Sequence, residues 1–433
     1  MSNEHAVFTR EMKQTHTILI PTMLPIHFSL IAAILRAQGY HVALLDADDT
    51  RAADIGLRHV HNDTCYPAIL VVGQFLGALE QGLYDPERTA LMLFQTGGGC
   101  RASNYIPLLR KALAGAGLSQ VPVVSFSPAG VERHPGFAPS LPMLYRMLFA
   151  VLYADLLCLL SRQCMPYELH SGDTQYTVDG WTTRLSTELA KGAFPRLSRV
   201  RETCRAILHD FSAIPRHRRD KPRVGIVGEI FVKYSPLGNN HLEDFLLKEG
   251  AEVAVPGLLD FFLYSTYNDV VDRRLYGTKP FRSCRNAIAV SFLSARQKEL
   301  IDLIQKESDF TPPTSFAHVR TLASGIIGLG AKMGEGWLLA AEMVELAESG
   351  VRNIVCAQPF GCLPNHICGK GMMKPIKDRH PDINIVAIDY DAGATRVNQV
   401  NRLKLMLSNA RLNERGAAGP HSAAGTQGPP SVA

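Results

Sequence analysis

The sequence predicts an α/β protein built from tandem Rossmann-like parallel-sheet domains, with a helical connector between them and a cleft where they meet. Three observations lead there. Short β-rich runs alternate with helical patterns over residues 17–126, the alternation restarts at residue 223, and residues 141–209 between the two series are helical in pattern throughout. The implied division is a first α/β domain over 1–140, a helical connector over 141–222, a second α/β domain over 223–408 and a disordered tail over 409–433.

The elements follow in order. Residues 17–21 form an apolar run too short for a helix and read as a strand. An amphipathic helix over 27–38 and a second strand over 42–45, closed by Asp46, come next. A helix over 66–81, a buried strand over 91–95, a helix over 103–114 and a strand over 121–126 complete a βαβ series, which requires parallel strands with helices on both faces. Residues 141–160 are the most hydrophobic stretch and nominally match a bilayer. Arg146 and Asp155 interrupt it and no interfacial anchors follow, so it reads as a buried helix. The polar segment 215–222 contains Arg216, His217, Arg218, Arg219 and Lys221 and reads as a solvated linker. The second series comprises strands over 223–228, 251–255, 353–357 and 383–388, with helices over 288–307, 336–348 and 394–407. Beyond Asn409 the chain is rich in Gly, Ala, Ser and Pro and lacks periodic apolar residues.

Composition narrows the function. The 433 residues are 46% hydrophobic and 20% charged, which suits a packed protein. A net charge of +5, with no basic run interleaved with aromatics, argues against nucleic acid. No apolar signal segment opens the chain, so a cytoplasmic protein without a membrane anchor is expected. In that compartment nine cysteines are reduced thiols or metal ligands rather than disulfides.

Four of those cysteines adjoin turn-forming residues: Cys65 before Tyr66-Pro67, Cys100 after Gly97-Gly98-Gly99, and Cys356 and Cys362 flanking Pro359 and Gly361. An iron–sulfur cluster needs thiolates on rigid loops and close backbone approach, so that amide N–H groups point at the sulfurs. Cys65, Cys100 and Cys356 are the expected ligands, each at an element end facing one cleft, and Cys362 is a fourth ligand or a support for the loop. Successive spacings of six from Cys356 to Cys362 to Cys368 do not match zinc ribbons or ferredoxins. Cys158, Cys204 and Cys284 read as structural thiols. Glu335 and His366 are candidate acid–base groups, although Glu335 as a helix-terminal carboxylate needs no catalytic role and a hydrogen-bonded structural histidine is the better reading of His366. Lys332, Lys370 and Arg101 lie near glycines, where they would attract an anion or simply be solvated. The glycines around Gly328, Gly330, Gly334 and Gly336, and those at Gly225 and Gly228, match neither GxGxxG nor the Walker spacing, so ATP binding is not expected.

The segments Phe8-Thr9-Arg10-Glu11-Met12, His61-Asn62-Asp63-Thr64-Cys65-Tyr66-Pro67, Gln95 through Tyr105, Gly334-Glu335-Gly336-Trp337-Leu338-Leu339 and Gln358 through His366 carry a family resemblance. From Phe8 to Leu407 the chain resembles the C-terminal portion of the acyl-CoA dehydratase activase-related proteins, itself similar to the 2-hydroxyacyl-CoA dehydratase and double-cubane cluster protein superfamily. That resemblance implies a 4Fe-4S or double-cubane 8Fe-9S cluster in the interdomain cleft, a dimer, and electrons of very low potential injected by a separate ATP-hydrolysing activase. Dehydratase members pass the electron to a 2-hydroxyacyl-CoA thioester, and double-cubane members resemble reductases of small molecules. The chain lacks the activase regions of the large proteins, so the activase is expected to act in trans. The competing expectation is a non-catalytic scaffold or electron-relay subunit that binds an activase but no substrate.

Overall fold

A computed structural model describes residues 5–417 except 46–49, 95–98, 127–131, 133, 193, 218–220 and 279. After a short helix α1 (Met12–Thr15), the chain runs β1 (Thr17–Pro21), α2 (Pro25–Ala37), β2 (His41–Leu45), α3 (Ala52–His59), α4 (Tyr66–Glu80), β3 (Thr89–Phe94), α5 (Tyr105–Gly115) and β4 (Val123–Phe126). The sheet order is β2-β1-β3-β4 and every pairing is parallel. Leu19 and Leu91 face the α4/α5 side while Ile18, Ile20 and Met92 face the opposite core, as expected for a sheet buried on both faces.

Three helices follow: α6 (Leu141–Cys164), α7 (Asp173–Ala190) and α8 (Leu197–Ser212). Among the described residues α6 is the one helix long and apolar enough to cross a membrane, yet 67% of its most hydrophobic window is buried inside the protein. The two charges within residues 141–160 are satisfied there. Arg146 donates to the Leu189 carbonyl at 2.8 Å, and Asp155 accepts from the backbone N–H groups of Leu258 and Leu259 at 2.9 and 2.8 Å.

The second half comprises β5 (Arg223–Gly228), α9 (Ile230–Tyr234), α10 (Pro236–Asn239), α11 (Leu242–Lys248), β6 (Glu252–Ala254), α12 (Leu258–Tyr276), α13 (Pro280–Glu307), α14 (Phe316–Leu322), α15 (Trp337–Glu348), β7 (Asn353–Pro359), α16 (Met373–Arg379), β8 (Asn384–Tyr390) and α17 (Arg396–Ala417). Its sheet order, β6-β5-β7-β8, repeats that of the first half, again wholly parallel. One apolar cluster runs from Ile18 and Met92 through Phe149 and Leu156 of α6 to Val224 and Val355, so α6 is the shared core of both sheets.

Two elements differ from the sequence reading in ways that matter for function. Strand β7 continues to Pro359, because it pairs with β8 up to Pro359 opposite Tyr390, and this leaves Cys356 in mid-strand. Helix α17 extends to Ala417, past the expected start of the tail, because Ala410 is buried beside Leu403, Met406 and Leu407 and Arg411 donates to the Glu249 carbonyl. The expected strand-closing Asp46, the end of the strand at Gln95, the glycines Gly97 and Gly98, part of the basic linker and the tail beyond Ala417 lie outside the described residues.

A candidate thiol site at the cleft

In an open parallel sheet, ligands bind beyond the strand C-termini where the strand order reverses. Those points lie between β1 and β3 in the first half and between β5 and β7 in the second. The segments leaving β3, β5 and β7 carry Cys100, Glu229 and Cys362 respectively.

Cys65 is the N-cap residue of α4, with Pro67 in the first turn fixing the backbone where the helix begins. Its Sγ accepts a hydrogen bond from the Tyr105 hydroxyl at 3.3 Å, which ties α4 to the start of α5. Cys100 caps a 3-10 turn over Arg101–Asn104, and Arg101 donates to the Asp63 carbonyl at 2.8 Å, so the two cysteine loops of the first half are joined. Cys362 follows β7 in a turn closed by Cys362 N–H to Pro359 O at 3.1 Å, and its Sγ accepts from Asn365 Nδ2 at 3.4 Å. The halves touch at Gly99, where a Cβ would stand 2.3 Å from Met333 Sδ.

Electrostatics show that these thiols share one environment. Burial pushes the Cys65 thiol up, and Glu229, Cys362 and Cys100 push it further. Cys362 is pushed up to about 12, first by burial and then by Glu229 and Glu335. Cys100 is raised by burial and by the same two carboxylates. The Tyr105 hydroxyl is held far above its ordinary range by burial, Cys65 and Glu229, so it remains a donor to sulfur. Glu229 is recessed: part of its surface meets solvent, but protein surrounds it, and burial together with Glu335 lifts its carboxyl to about 8. Glu335, almost fully buried and itself raised by burial, accepts from Ile230 N–H and Asn365 Nδ2, each at 3.0 Å. Asn365 therefore links Glu335 to Cys362.

Of the four expected ligands, Cys65 lies in the electrostatic field of Cys100 and Cys362, and all three lie in that of Glu229. Cys356 is a correction. Its side chain is fully buried among Val227, Met343 and Ile376, on the β7 face away from Val355 and Ala357, and a Cβ on Gly369 would lie 3.1 Å from its sulfur. The cause is the longer strand, which moves the element end from Cys356 to the Cys362 loop. Glu335 lies in the field of Cys100 and Cys362, whereas His366 faces Gln358, which bonds Asp389 at 2.6 Å. The three candidate anion-attracting cations are engaged locally: Arg101 with the Asp63 carbonyl, Lys332 with Asp272 and Lys370 with Asp389. Cys204 is buried as expected, but Cys284 is exposed on α13 and Cys158 is half-buried.

Sequence reasoning missed Glu229, Tyr105 and Asn365 as parts of the site. Tyr105 and Asn365 stand within the quoted segments, and Glu229 directly follows β5, so position after a strand was the usable signal. Among the described residues no three His, Cys, Asp or Glu side chains are close enough to hold a single metal ion. Donors are aimed at two of the three sulfurs, the Tyr105 hydroxyl at Cys65 and the Asn365 amide at Cys362. The fold and this cleft define a tandem parallel-sheet α/β protein with a thiol-lined site between its halves. No family model and no curated protein matches the chain.

Proposed function

We propose that the chain is the iron–sulfur cluster-binding component of an ATP-dependent low-potential reductase or 2-hydroxyacyl-CoA dehydratase-like system, served by a separate activase. The observation that carries this reading is the grouping of Cys65 and Cys100 from one half with Cys362 from the other, beyond the switch points of both sheets. When bound, such a cluster supplies one-electron transfer at low potential.

The chain's own residues would hold it through the Sγ atoms of Cys65, Cys100 and Cys362. Because burial disfavours thiolate in each, ligation would release their protons. Tyr105 and Asn365 orient Cys65 and Cys362 by donating to sulfur, and such donors raise the potential of what the sulfurs hold. Gly99 and Met333 bring the loops of the two halves into contact.

Anaerobically purified protein is expected to be brown, to contain iron with acid-labile sulfide, and to show a paramagnetic signal on reduction. Stoichiometric zinc without iron would overturn the reading. Substrate reduction should require a cognate activase, ATP and a strong reductant together. ATP hydrolysis by the chain alone, lost on Lys332→Ala, would contradict that division of labour.

A further inference from the structure

From Arg273 to Lys298 the chain contains seven Lys or Arg residues and no Asp or Glu. Against a net charge of +5 for all 433 residues, that is a concentrated positive segment. Tyr276 and Phe281 interleave its first five cations, which corrects the expectation that no basic run meets aromatics. The structure folds these residues into the tip of the α12–α13 hairpin, where Arg273 to Thr278 are all exposed. Gly277, at φ +68°, caps α12 and lets the chain reverse. On α13, positions 281, 284, 285 and 288 share one helix face, and all four are exposed, Phe281 at 91% and Ile288 at 69% with Cys284 and Arg285 between them. Leu275 and Tyr276 add to the apolar surface. Single exposed apolar side chains need no explanation, but four on one tip mark a contact surface.

The tip is held in shape from behind. Arg282 Nε and Asn286 Nδ2 both donate to Asp269 Oδ2 at 2.6 Å, which fastens α13 to α12. Among the described residues the other three arginines meet no carboxylate: Arg273 donates to the Pro280 carbonyl at 3.4 Å, Arg285 to the Asn286 side chain at 3.5 Å, and Arg274 is exposed on the last turn of α12. Their charge is therefore presented outward.

We propose that the α12–α13 tip is a peripheral docking surface for an anionic lipid bilayer, with Phe281, Leu275 and Ile288 entering the interface and Arg273, Arg274 and Arg285 meeting the headgroups. The charge complements an acidic leaflet, beside which each cation raises partitioning about fivefold. The aliphatic side chains decide between anionic partners, because Leu275 and Ile288 offer nothing to a phosphate backbone whereas acyl chains take them out of water. This inference does not depend on the iron–sulfur reading. It does connect to the cleft, since a Cβ on Gly330 would stand 3.2 Å from the Tyr276 hydroxyl and 3.3 Å from Leu275 Cδ1, and Lys332 pairs with Asp272. The loop braced on the hairpin is the one that brings Met333 to Gly99.

Cosedimentation of the full chain with vesicles tests the proposal. The protein should pellet with phosphatidylcholine vesicles containing about a third phosphatidylserine, stay in solution with phosphatidylcholine alone, and bind less as salt rises from about 0.1 to 1 M. Phe281→Ala should weaken partitioning about tenfold, and Arg274→Glu combined with Arg285→Glu by about 25-fold or more. All three positions are exposed, so the fold does not depend on them. Leu83→Ala, at an exposed leucine of the first half, should leave binding unchanged. A Phe281→Trp variant should shift its emission to the blue with the anionic vesicles and not with the neutral ones. No pelleting with anionic vesicles, or pelleting that the hairpin substitutions leave unchanged, would overturn the proposal. Binding to a single-stranded oligonucleotide but not to vesicles would assign the cations to nucleic acid, and a dimer that Phe281→Ala disrupts, again with no vesicle binding, would assign the tip to a second copy of the chain. Either result would overturn it too.

Discussion

Single residues decide which cysteines do chemistry here. Cys65, Cys100 and Cys362 differ from Cys356 and Cys204 in company, since the first three lie in the field of Glu229, while Cys356 and Cys204 are buried within apolar clusters. Replacing any of the first three with serine should sharply reduce iron and sulfide content with little change in the denaturation midpoint of the iron-free protein. Cys356→Ser should do the reverse, keeping the iron while losing about 1–3 kcal/mol for an unsatisfied buried hydroxyl. Metal analysis and urea unfolding of the four variants check this; equal iron in all of them would dismiss the assignment. A second residue-scale prediction concerns pH. Burial lifts Asp260 to about 8, with Gln297 Nε2 donating to it at 2.7 Å, and His27 is lifted to about 9. For both groups the folded pKa lies above the unfolded one, so the protonated form is favoured by folding. Their stabilisation is complete below about pH 4 for Asp260 and about pH 6.5 for His27, and it disappears as pH rises through 8 and 9. The urea midpoint should therefore fall from pH 6 to 9, by up to about 1.4 kcal/mol per pH unit for each proton involved. Asp260→Asn should flatten the part below pH 8, and an unchanged slope would mean that Asp260 is already ionised.

At the scale of elements, the cleft depends on how closely α3 and α4 approach. A Cβ on Gly73 of α4 would stand 1.8 Å from the Ala52 carbonyl oxygen, and one on Gly56 of α3 2.0 Å from that of Ile69, so the two helices pack backbone against backbone. Because α4 carries Cys65 at its start, separating these helices shifts a sulfur. Gly73→Ala should destabilise the protein by about 1–3 kcal/mol or more and also lower iron content. Gly115→Ala, where nothing lies within 4 Å, should leave both unchanged or add up to about 1 kcal/mol. Thermal unfolding and iron analysis of the pair distinguish them. The strands were legible because each is a short apolar run, buried on both faces. Helices α1, α3, α9 to α12, α14 and α16 were not read, since all but α12 are eight residues or shorter, and α12 mixes Asp, Asn and Arg with its apolar residues. Asp260 and Asp269 in that helix are buried only because Gln297, Arg282 and Asn286 of α13 bond them at 2.6–2.7 Å.

Across the whole molecule, two sheets of identical order are joined twice, through the α6 core and through the loops at the cleft. A cluster held by Cys65, Cys100 and Cys362 would fasten the second joint. Hydrogen exchange should then show that losing the cluster deprotects residues 61–67, 99–104 and 360–371 together, while β1 and β5 stay protected. Deprotection confined to one half would mean that the cysteines do not share a site. The sequence by itself determined the tandem α/β architecture, because alternation of apolar strands with amphipathic helices is a local property that survives in one dimension. It also marked Cys65, Cys100 and Cys356, with Cys362 as a fourth ligand or a support, through the turn-forming residues around them. Only the tertiary structure decided that Cys356 belongs to the core and Glu229, Tyr105 and Asn365 to the cleft. Where a strand ends is set by its pairing partner, here β8, and which side chains meet across two halves depends on packing that no spacing along the chain records.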